Sequence, residues 1–192
     1  MAKRKLIDVR LSFPDLYRPV EYEKDDGKPR FNATFLIDPK SENHKNIEAD
    51  IVAAAKEVFE KDWEKKLAAL KGNSNKYCYL DGNLKDYDGY AGMYYLAAHK
   101  PAKQGPVGVY GNVIDPQTGK VVVLTEESGK PYGGCYVNAT VEIYAQKGAN
   151  PGIRCGLIAV QFARDGDAFS GSKPANPDDF APVEGADADP LA

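Results

Sequence analysis

The clearest structural signal in the chain comes from LIDVRLSF at residues 6–13 and RFNATFLI at residues 30–37. In each stretch apolar residues alternate with other residues, and a period of two indicates a strand with one buried face. The sequence therefore predicts two half-buried strands. Their predicted core faces are Ile7, Val9, Leu11 and Phe13 in the first, and Phe31, Ala33, Phe35 and Ile37 in the second.

A long amphipathic helix is predicted after the second strand. Apolar residues recur at steps of three and four from Ile47 to Leu70, which is the spacing of one face of a helix. Residues 38–42, DPKSE, favour a helix start, and Gly72 favours its end. One helix fits this pattern, and a break near Asp62 is an alternative that the pattern leaves open.

Short strands and turns dominate the chain after Gly72. Turn signals such as Asp81-Gly82, Asp115-Pro116 and Asn150-Pro151-Gly152 separate them. The predicted fold class is mainly β with one long helix (α+β), arranged as a compact barrel or sandwich. The predicted strands cover residues 77–80, 92–99, 107–114, 120–125, 134–145 and 153–163. Apolar residues alternate in the fifth of these strands, and its predicted core face is Val137, Ala139, Val141 and Ile143.

Charge is distributed unevenly along the chain. The 192 residues carry 25 Lys and Arg against 28 Asp and Glu, a formal net charge of −3. Residues 1–164 carry 24 bases and 21 acids, or +3, whereas the stretch from Asp165 onward carries seven acids and one base, or −6. A mildly basic body joined to an acidic end is compatible with nucleic-acid contact.

The acidic end is also poor in core-forming residues. From Gly166 onward Gly, Ser, Pro, Asn, Asp and Ala predominate, a composition that buries too little apolar surface to offset the entropy of ordering. We expect a folded domain over residues 1–169 and a disordered acidic tail over residues 170–192.

Motifs for catalysis, metal binding and membrane insertion are missing from the sequence. The three cysteines lack Cys-x-x-Cys spacing, and the two histidines, His44 and His99, have no second ligand at metal spacing. No phosphate-binding loop, dinucleotide fingerprint or nucleophile elbow occurs, and no apolar run is long enough for a membrane helix. We expect a non-enzymatic, cofactor-free protein of a reducing cell interior that does not bind membranes.

Tyrosine is the unusual feature of this sequence. Six of the twelve tyrosines fall within the nineteen residues from Tyr77 to Tyr95. Aromatic rings stack on unpaired bases whatever the base, and Arg and Lys nearby hold the phosphates. An alternative is that these tyrosines lie at the core rim with their hydroxyls at the surface. The basic candidates on physical grounds are Arg10, Arg18, Arg30, Lys100 and Lys103, and Tyr17 joins them.

Three stretches of the chain form a distinctive series. The first pairs LSFP at 11–14 and Leu16 with FNATFLI at 31–37. The second is DGNLKDYDGY at 81–90, continued by Gly92, Tyr94-Tyr95 and Ala97-Ala98. The third is YGGCYVNA at 132–139, followed by Gly152-Ile153, Val160-Gln161-Phe162 and Asp165-Gly166. In their order and spacing, over roughly residues 6 to 169, these stretches resemble a family of bacteriophage single-stranded DNA-binding proteins with an OB-type barrel.

The resemblance implies a protein that coats single-stranded DNA during phage replication or recombination, in an OB-like groove. Bases would stack on the tyrosines at matching positions, which are Tyr90, Tyr94, Tyr132 and Tyr136. It also implies a location in the cytoplasm of the bacterial host, and an acidic tail that recruits replication or recombination proteins and competes with DNA. The tail residues expected to contact a partner are Asp178, Asp179, Phe180, Asp187, Asp189 and Leu191. The predicted helix follows the second strand, whereas the usual OB order places it between the third and fourth strands. A phage structural or assembly protein is the alternative function, and an enzyme is the third.

Overall fold

The computed structural model describes residues 2–21 and 27–169. These residues form eight strands, two α-helices and short 3-10 turns. The strands are β1 (Ala2–Val20), β2 (Arg30–Ile37), β3 (Tyr79–Asp81), β4 (Tyr94–Pro101), β5 (Gly108–Ile114), β6 (Val121–Val123), β7 (Tyr136–Gln146) and β8 (Gly152–Arg164), and the helices are α1 (Glu42–Phe59) and α2 (Trp63–Leu70).

Five of the strands close into a barrel. The sheet order is β3-β4-β2-β1-β7-β8-β5-β6, and a parallel pairing of β4 with β8 at His99 and Gly156 joins the two sides. The closed ring therefore contains β1, β2, β4, β7 and β8. The predicted fold class, a mainly β barrel with one long helical segment, is confirmed.

The core of the barrel follows the predicted alternation in β2 and β7. Phe31, Ala33, Phe35 and Ile37 are all buried, and so are Val137, Ala139, Val141 and Ile143. The residues between them face outward, and β2 and β4 pair in register along their whole length, with Thr34 opposite Ala97 and Asn32 opposite His99. The outward side chains of β2 and β4 therefore lie in matched pairs across the two strands.

In β1 the predicted core face is wrong at two positions. Ile7 and Phe13 are 50% and 55% exposed, whereas Leu6 is buried together with Val9 and Leu11. The pairing register shifts next to both residues, between Leu6 and Val9 against β7 and after Ser12 against β2. Each shift is a bulge, and a bulge changes which face the following side chain meets.

Both bulges contain a residue with left-handed backbone. Asp8 has φ of 51° and Phe13 has φ of 46°. Asp and Asn tolerate this conformation better than other non-glycine residues, but it is unfavourable for Phe, so packing around the second bulge must hold Phe13 in place. The bulge at Phe13 positions that aromatic ring in solvent, which matters for the site described below.

The helical segment is interrupted, as the alternative prediction allowed. Helix α1 begins after Ser41, whose hydroxyl accepts a hydrogen bond from the His44 backbone N–H. It ends at Phe59, and a 3-10 turn over Glu60–Asp62 separates it from α2. The buried residues of α1 pack on the barrel beside β7, and Asp50 forms an ion pair with Arg4 of β1 at 2.6 Å.

The tail over residues 170–192, with its six expected partner-binding residues, lies outside the described residues, so the division of the chain at residue 169 stays a prediction. Within the described ranges, no helix is both long enough and apolar enough to cross a membrane.

Candidate nucleic-acid interface

An open groove crosses the outward face of β2 and β4. It has a volume of about 910 Å³ and extends from an aromatic end to a polar end near the start of β8. Its floor is formed by the outward residues of the two paired strands, Asn32, Thr34, Ala97 and His99. The side chains on the floor are small or polar, so a flat or extended ligand can lie across them.

Four aromatic rings form the first end of the groove, which we call the aromatic end: Phe13, Tyr87, Tyr90 and Tyr95. The ring centroids of Phe13 and Tyr87 are 5.1 Å apart, those of Tyr87 and Tyr90 are 5.4 Å apart, and those of Tyr90 and Tyr95 are 5.5 Å apart. Tyr90 and Tyr95 are buried, whereas Phe13 and Tyr87 are 55% and 50% exposed. The cluster thus consists of two buried inner rings and two half-exposed outer rings.

Tyr90 anchors this cluster to the barrel. Its hydroxyl donates a hydrogen bond to Oγ of Ser12, a buried polar residue, over 3.3 Å. Burial raises the pKa of Tyr90 above its ordinary value, so the hydroxyl stays protonated and remains a donor at neutral pH. The residue after Ser12 is Phe13, so the same contact stabilises the bulge that exposes the Phe13 ring.

The loop that carries Tyr87 and Tyr90 is closed by tight backbone contacts. Asp81 accepts a hydrogen bond from the Asn83 backbone N–H at 2.9 Å, and Oδ1 of Asn83 accepts one from the Gly92 N–H at 2.9 Å. A Cβ on Gly82 would lie 2.4 Å from the Tyr90 carbonyl oxygen, so only glycine fits there. The DGN sequence at 81–83 therefore fixes the position of the aromatic loop.

Basic side chains reach the groove from three separate elements. Arg30 begins β2, Lys85 precedes the aromatic loop, and Arg154 lies near the start of β8. The Arg154 guanidinium donates to the carbonyl oxygen of Asn75, which holds it against the polar end. A chain of phosphates lying along the groove would pass all three cations, and such contacts make binding sensitive to salt.

A second basic and aromatic patch lies beside the groove, on β1, β7 and β8. The Arg164 guanidinium lies 3.4 Å from the ring centroid of Tyr136, and that of Arg10 lies 5.9 Å from it. Arg164 also forms two hydrogen bonds with the Asp8 carboxylate, at 3.0 and 2.9 Å. Residues 165–169 pass over this patch, where the Asp167 carbonyl accepts a hydrogen bond from Arg10 at 2.7 Å.

The site residues predicted from sequence divide among these regions. Tyr90 and Arg30 line the groove. Arg10 and Tyr136 lie in the second patch, next to Tyr132, whose hydroxyl donates to the Asp165 carboxylate at 2.9 Å.

The remaining predicted residues do not join the groove. The Tyr94 ring stacks on Tyr79 at 5.3 Å and lies 5.0 Å from His44 of α1, on the opposite face of β4 from Tyr95. The others lie elsewhere: Tyr17 donates to the Lys130 carbonyl, Arg18 pairs with Glu126 at 2.8 Å, Lys100 donates to the Pro106 carbonyl at 2.6 Å, and Lys103 lies in the exposed turn Ala102–Gln104.

The sequence-based list of site residues omits Phe13, Lys85, Tyr87, Tyr95 and Arg154, which supply rings and cations to the groove. Tyr87 and Tyr95 belong to the tyrosine-rich stretch, so the sequence holds a signal for them. The alternating pattern assigns Phe13 to the core, because its exposure depends on a bulge that the pattern does not reveal. Arg154 reaches the groove only because β8 closes the barrel against β4.

Within residues 2–21 and 27–169, no cluster of three His, Cys, Asp or Glu side chains could hold a metal ion. Burial raises the pKa of the Cys78 thiol to about 12 and that of Cys135 to about 11, so both stay protonated at neutral pH. The groove thus presents rings, amides and cations.

Comparison with known proteins identifies the family of this chain. The family model described as the ssDNA-binding protein of Enterobacter phage Enc34 matches residues 2–191. The chain belongs to the Enc34 single-stranded DNA-binding protein family. The chain is also similar to p50 of Acyrthosiphon pisum secondary endosymbiont phage 1. The two proteins are 40% identical over 194 residues, and the alignment covers 98% of each.

Solved structures of the Enc34 protein share the barrel. Its complex with ssDNA matches with a TM-score of 0.66 and 22% identity, covering 88% of this chain and 89% of that one. A C-terminal truncation of the same protein matches with a TM-score of 0.64 and 22% identity, covering 87% and 88%. The resemblance to phage single-stranded DNA-binding proteins with an OB-type barrel is confirmed.

Proposed function

We propose that this protein binds and coats single-stranded DNA without strong sequence preference, as a non-enzymatic participant in phage replication and recombination inside the host bacterium. The observation that carries the proposal is the half-exposed pair of Phe13 and Tyr87 at the end of a groove lined by cations. Membership of the Enc34 family supports it, because the Enc34 protein is described as binding ssDNA.

Base stacking accounts for binding that does not depend on the base sequence of the DNA. Phe13 and Tyr87 offer ring surface to a flat ligand, and each base stacked on an aromatic ring contributes about 1–3 kcal/mol. Tyr90 and Tyr95, which are buried behind them, hold the outer rings in place, so little side-chain freedom is lost on binding. Paired bases do not expose their faces, and this favours the single strand over the duplex.

Phosphate contacts account for the remaining affinity. Arg30, Lys85 and Arg154 are spread along the groove, and the body of the protein carries only +3. A modest charge of this kind gives a reversible attachment that weakens as salt rises. We infer that stacking contributes more than charge to the affinity.

The acidic tail is proposed to act both on the groove and on partner proteins. Its sequence includes Asp178, Asp179, Asp187 and Asp189, together with the apolar Phe180 and Leu191. Negative charge on the same chain competes with phosphates for the basic groove at low salt. The same residues are proposed to recruit replication or recombination proteins once DNA has displaced them.

A phage structural or assembly role is the second candidate. The hairpin of β5 and β6 favours it, since Val113, Ile114 and Val123 are each more than half exposed. Exposed apolar side chains gathered on one hairpin are typical of protein contacts. Such a role requires no affinity for DNA, so a binding measurement separates the two candidates.

The proposed function is tested by titrating fluorescein-labelled oligo(dT), and a matching labelled duplex, at two salt concentrations. We expect tight binding to the single strand, weaker binding to the duplex, and lower affinity at the higher salt. Absence of binding to the single strand would overturn the proposal and favour the structural role. Cleavage of the labelled strand would instead indicate an enzyme.

A further inference from the structure

The ring of Phe169 lies on a cation of the barrel surface. Its centroid is 4.5 Å from the guanidinium carbon of Arg10, which is the distance of a cation–π contact. The same guanidinium donates hydrogen bonds to two backbone carbonyls, Gly134 at 3.1 Å and Asp167 at 2.7 Å. A flat ring stacked on an arginine is the arrangement that an unpaired base adopts in a single-strand binding site.

Residues 165–169, which we call the strap, lie in close contact with the barrel surface. A Cβ on Gly134 would lie 2.2 Å from the Asp167 carbonyl oxygen, and one on Gly166 would lie 2.4 Å from the Gly134 carbonyl oxygen. Gly134 also has φ of 103°, which favours glycine. The close approach of strap and barrel therefore depends on two glycines.

The two ends of the strap are held differently. At its start, the Tyr132 hydroxyl donates to the Asp165 carboxylate at 2.9 Å and accepts from the Gly166 N–H at 3.3 Å. At its end, the Phe169 N–H donates to the Gly133 carbonyl at 3.1 Å, and the ring rests on Arg10. The strap is not part of a strand, so moving residues 167–169 away from the barrel would break these end contacts and the Arg10–Asp167 hydrogen bond but no strand pairing.

The position of Phe169 is continuous with the groove. A Cβ on Gly89, in the loop between Tyr87 and Tyr90, would lie 2.8 Å from the Phe169 ring and 3.3 Å from Leu36. Phe169 thus stands between the aromatic end and the second patch of Arg10, Tyr136 and Arg164. Removing it would connect the two surfaces.

We propose that Phe169 occupies a nucleobase subsite, and that an unpaired nucleotide displaces it to stack on Arg10 beside Tyr136. The inference rests on the proposed function, because the displacing base belongs to the strand already bound in the groove. A DNA strand entering the subsite must first displace the ring, so the apparent affinity of the subsite is lower than its intrinsic affinity by that cost. Arg164, held over Tyr136 by Asp8, supports the far side of the subsite.

The test compares the full-length wild type with Phe169→Ala in titrations of labelled oligo(dT) at two salt concentrations. We expect the dissociation constant of the variant to fall roughly three- to tenfold, because the base no longer competes with a ring. The gain should be similar at both salts, since the substitution changes no charge. Ile114→Ala, which removes an exposed apolar side chain on the β5–β6 hairpin, is the control and should leave the constant unchanged.

A second substitution tests the subsite itself. Tyr136→Ala should weaken binding more in the Phe169→Ala background than in the wild type, because Tyr136 contacts the base only when the subsite is open. Unchanged or weaker binding by a folded Phe169→Ala variant would overturn the inference, and so would equal effects of Tyr136→Ala in the two backgrounds. Thermal unfolding verifies that each variant is folded.

Phe169→Trp provides a measurement that does not depend on removing the ring. We expect the fluorescence of the introduced indole, after subtraction of the wild-type signal from Trp63, to shift to the red when oligo(dT) saturates the protein. An indole whose emission stays unchanged at saturation would contradict displacement. If the wild type itself fails to bind oligo(dT), the proposed function fails; if it binds and the indole does not move, only this inference fails.

Discussion

The rings of Phe13 and Tyr87 meet edge to face, with centroids 5.1 Å apart and an interplanar angle of 73°. Each residue leaves about half of its surface in solvent, while Tyr90 and Tyr95 behind them are buried. Edge-to-face contact is a favourable geometry for an aromatic pair, and it leaves ring surface open to a third ring. In this arrangement Phe13 has a left-handed backbone conformation.

Replacing Phe13 separates binding from stability. Phe13→Ala should raise the dissociation constant for oligo(dT) roughly fivefold to a hundredfold, because removing one stacking ring costs about 1–3 kcal/mol of binding free energy. Phe13→Gly should weaken binding to the same extent, yet be about 1 kcal/mol more stable than Phe13→Ala because glycine accepts the left-handed φ. Fluorescence anisotropy and urea unfolding measure the two effects.

Ile7→Ala is the matched control for Phe13, since Ile7 is an exposed apolar residue at the other bulge of β1. It should leave the affinity for oligo(dT) unchanged. Equal reductions of affinity in the Ile7 and Phe13 variants would contradict a specific stacking role for Phe13.

Two tyrosines of the same stretch should behave in opposite ways. Tyr87→Ala should lower the affinity for single-stranded DNA with little change in stability, because Tyr87 is half exposed at the aromatic end. Tyr94→Ala should lower the free energy of unfolding by about 1–3 kcal/mol, because Tyr94 packs between Tyr79 and His44. The reverse pattern in anisotropy and denaturation experiments would place the binding face on the other side of β4.

Salt dependence reports which cations hold the phosphates. Neutralising Arg30, Lys85 or Arg154 to Gln should reduce the slope of log K against log salt by about 0.7 for each phosphate that the variant no longer neutralises. Lys65→Gln, an exposed lysine of α2, should leave the slope unchanged. Arg18→Gln tests the sequence-based candidate that pairs with Glu126, and a slope that falls only for Arg18 would shift the path of the strand away from the groove.

Deleting residues 171–192 tests the proposed role of the tail. The deletion removes an acidic segment but keeps Phe169 and the strap. We expect tighter binding to oligo(dT) at low salt and a smaller gain at high salt, because the competition is electrostatic. An unchanged dissociation constant at low salt would rule out competition between the tail and DNA.

Much of the fold follows from periodicity alone. The alternation in residues 30–37 and 134–145 predicts β2 and β7 with their buried faces, and the three- and four-residue steps predict the helices. These patterns succeed because each such element buries one continuous face. The same rule fails in β1. Two bulges there turn Ile7 and Phe13 outward, and the alternating sequence pattern does not show where a bulge occurs.

The site was less predictable than the fold because a binding face depends on register and closure. Tyr94 and Tyr95 are neighbours in sequence but point to opposite faces of β4, so one position decides between packing on α1 and lining the groove. Arg154 meets the groove through the β4–β8 pairing, which is non-local. The strap contact of Phe169 with Arg10 joins residues 159 positions apart in the sequence.

Photo-crosslinking locates single-stranded DNA on the protein and so tests whether it lies in the groove against the aromatic end. Oligo(dT) carrying 5-iododeoxyuridine is bound to the full-length protein and irradiated, and the crosslinked peptides are identified by mass spectrometry. We expect crosslinks at Phe13 and Tyr87. Crosslinks confined to the β5–β6 hairpin or to α2, with Phe13 and Tyr87 unmodified, would refute the groove as the DNA-binding site.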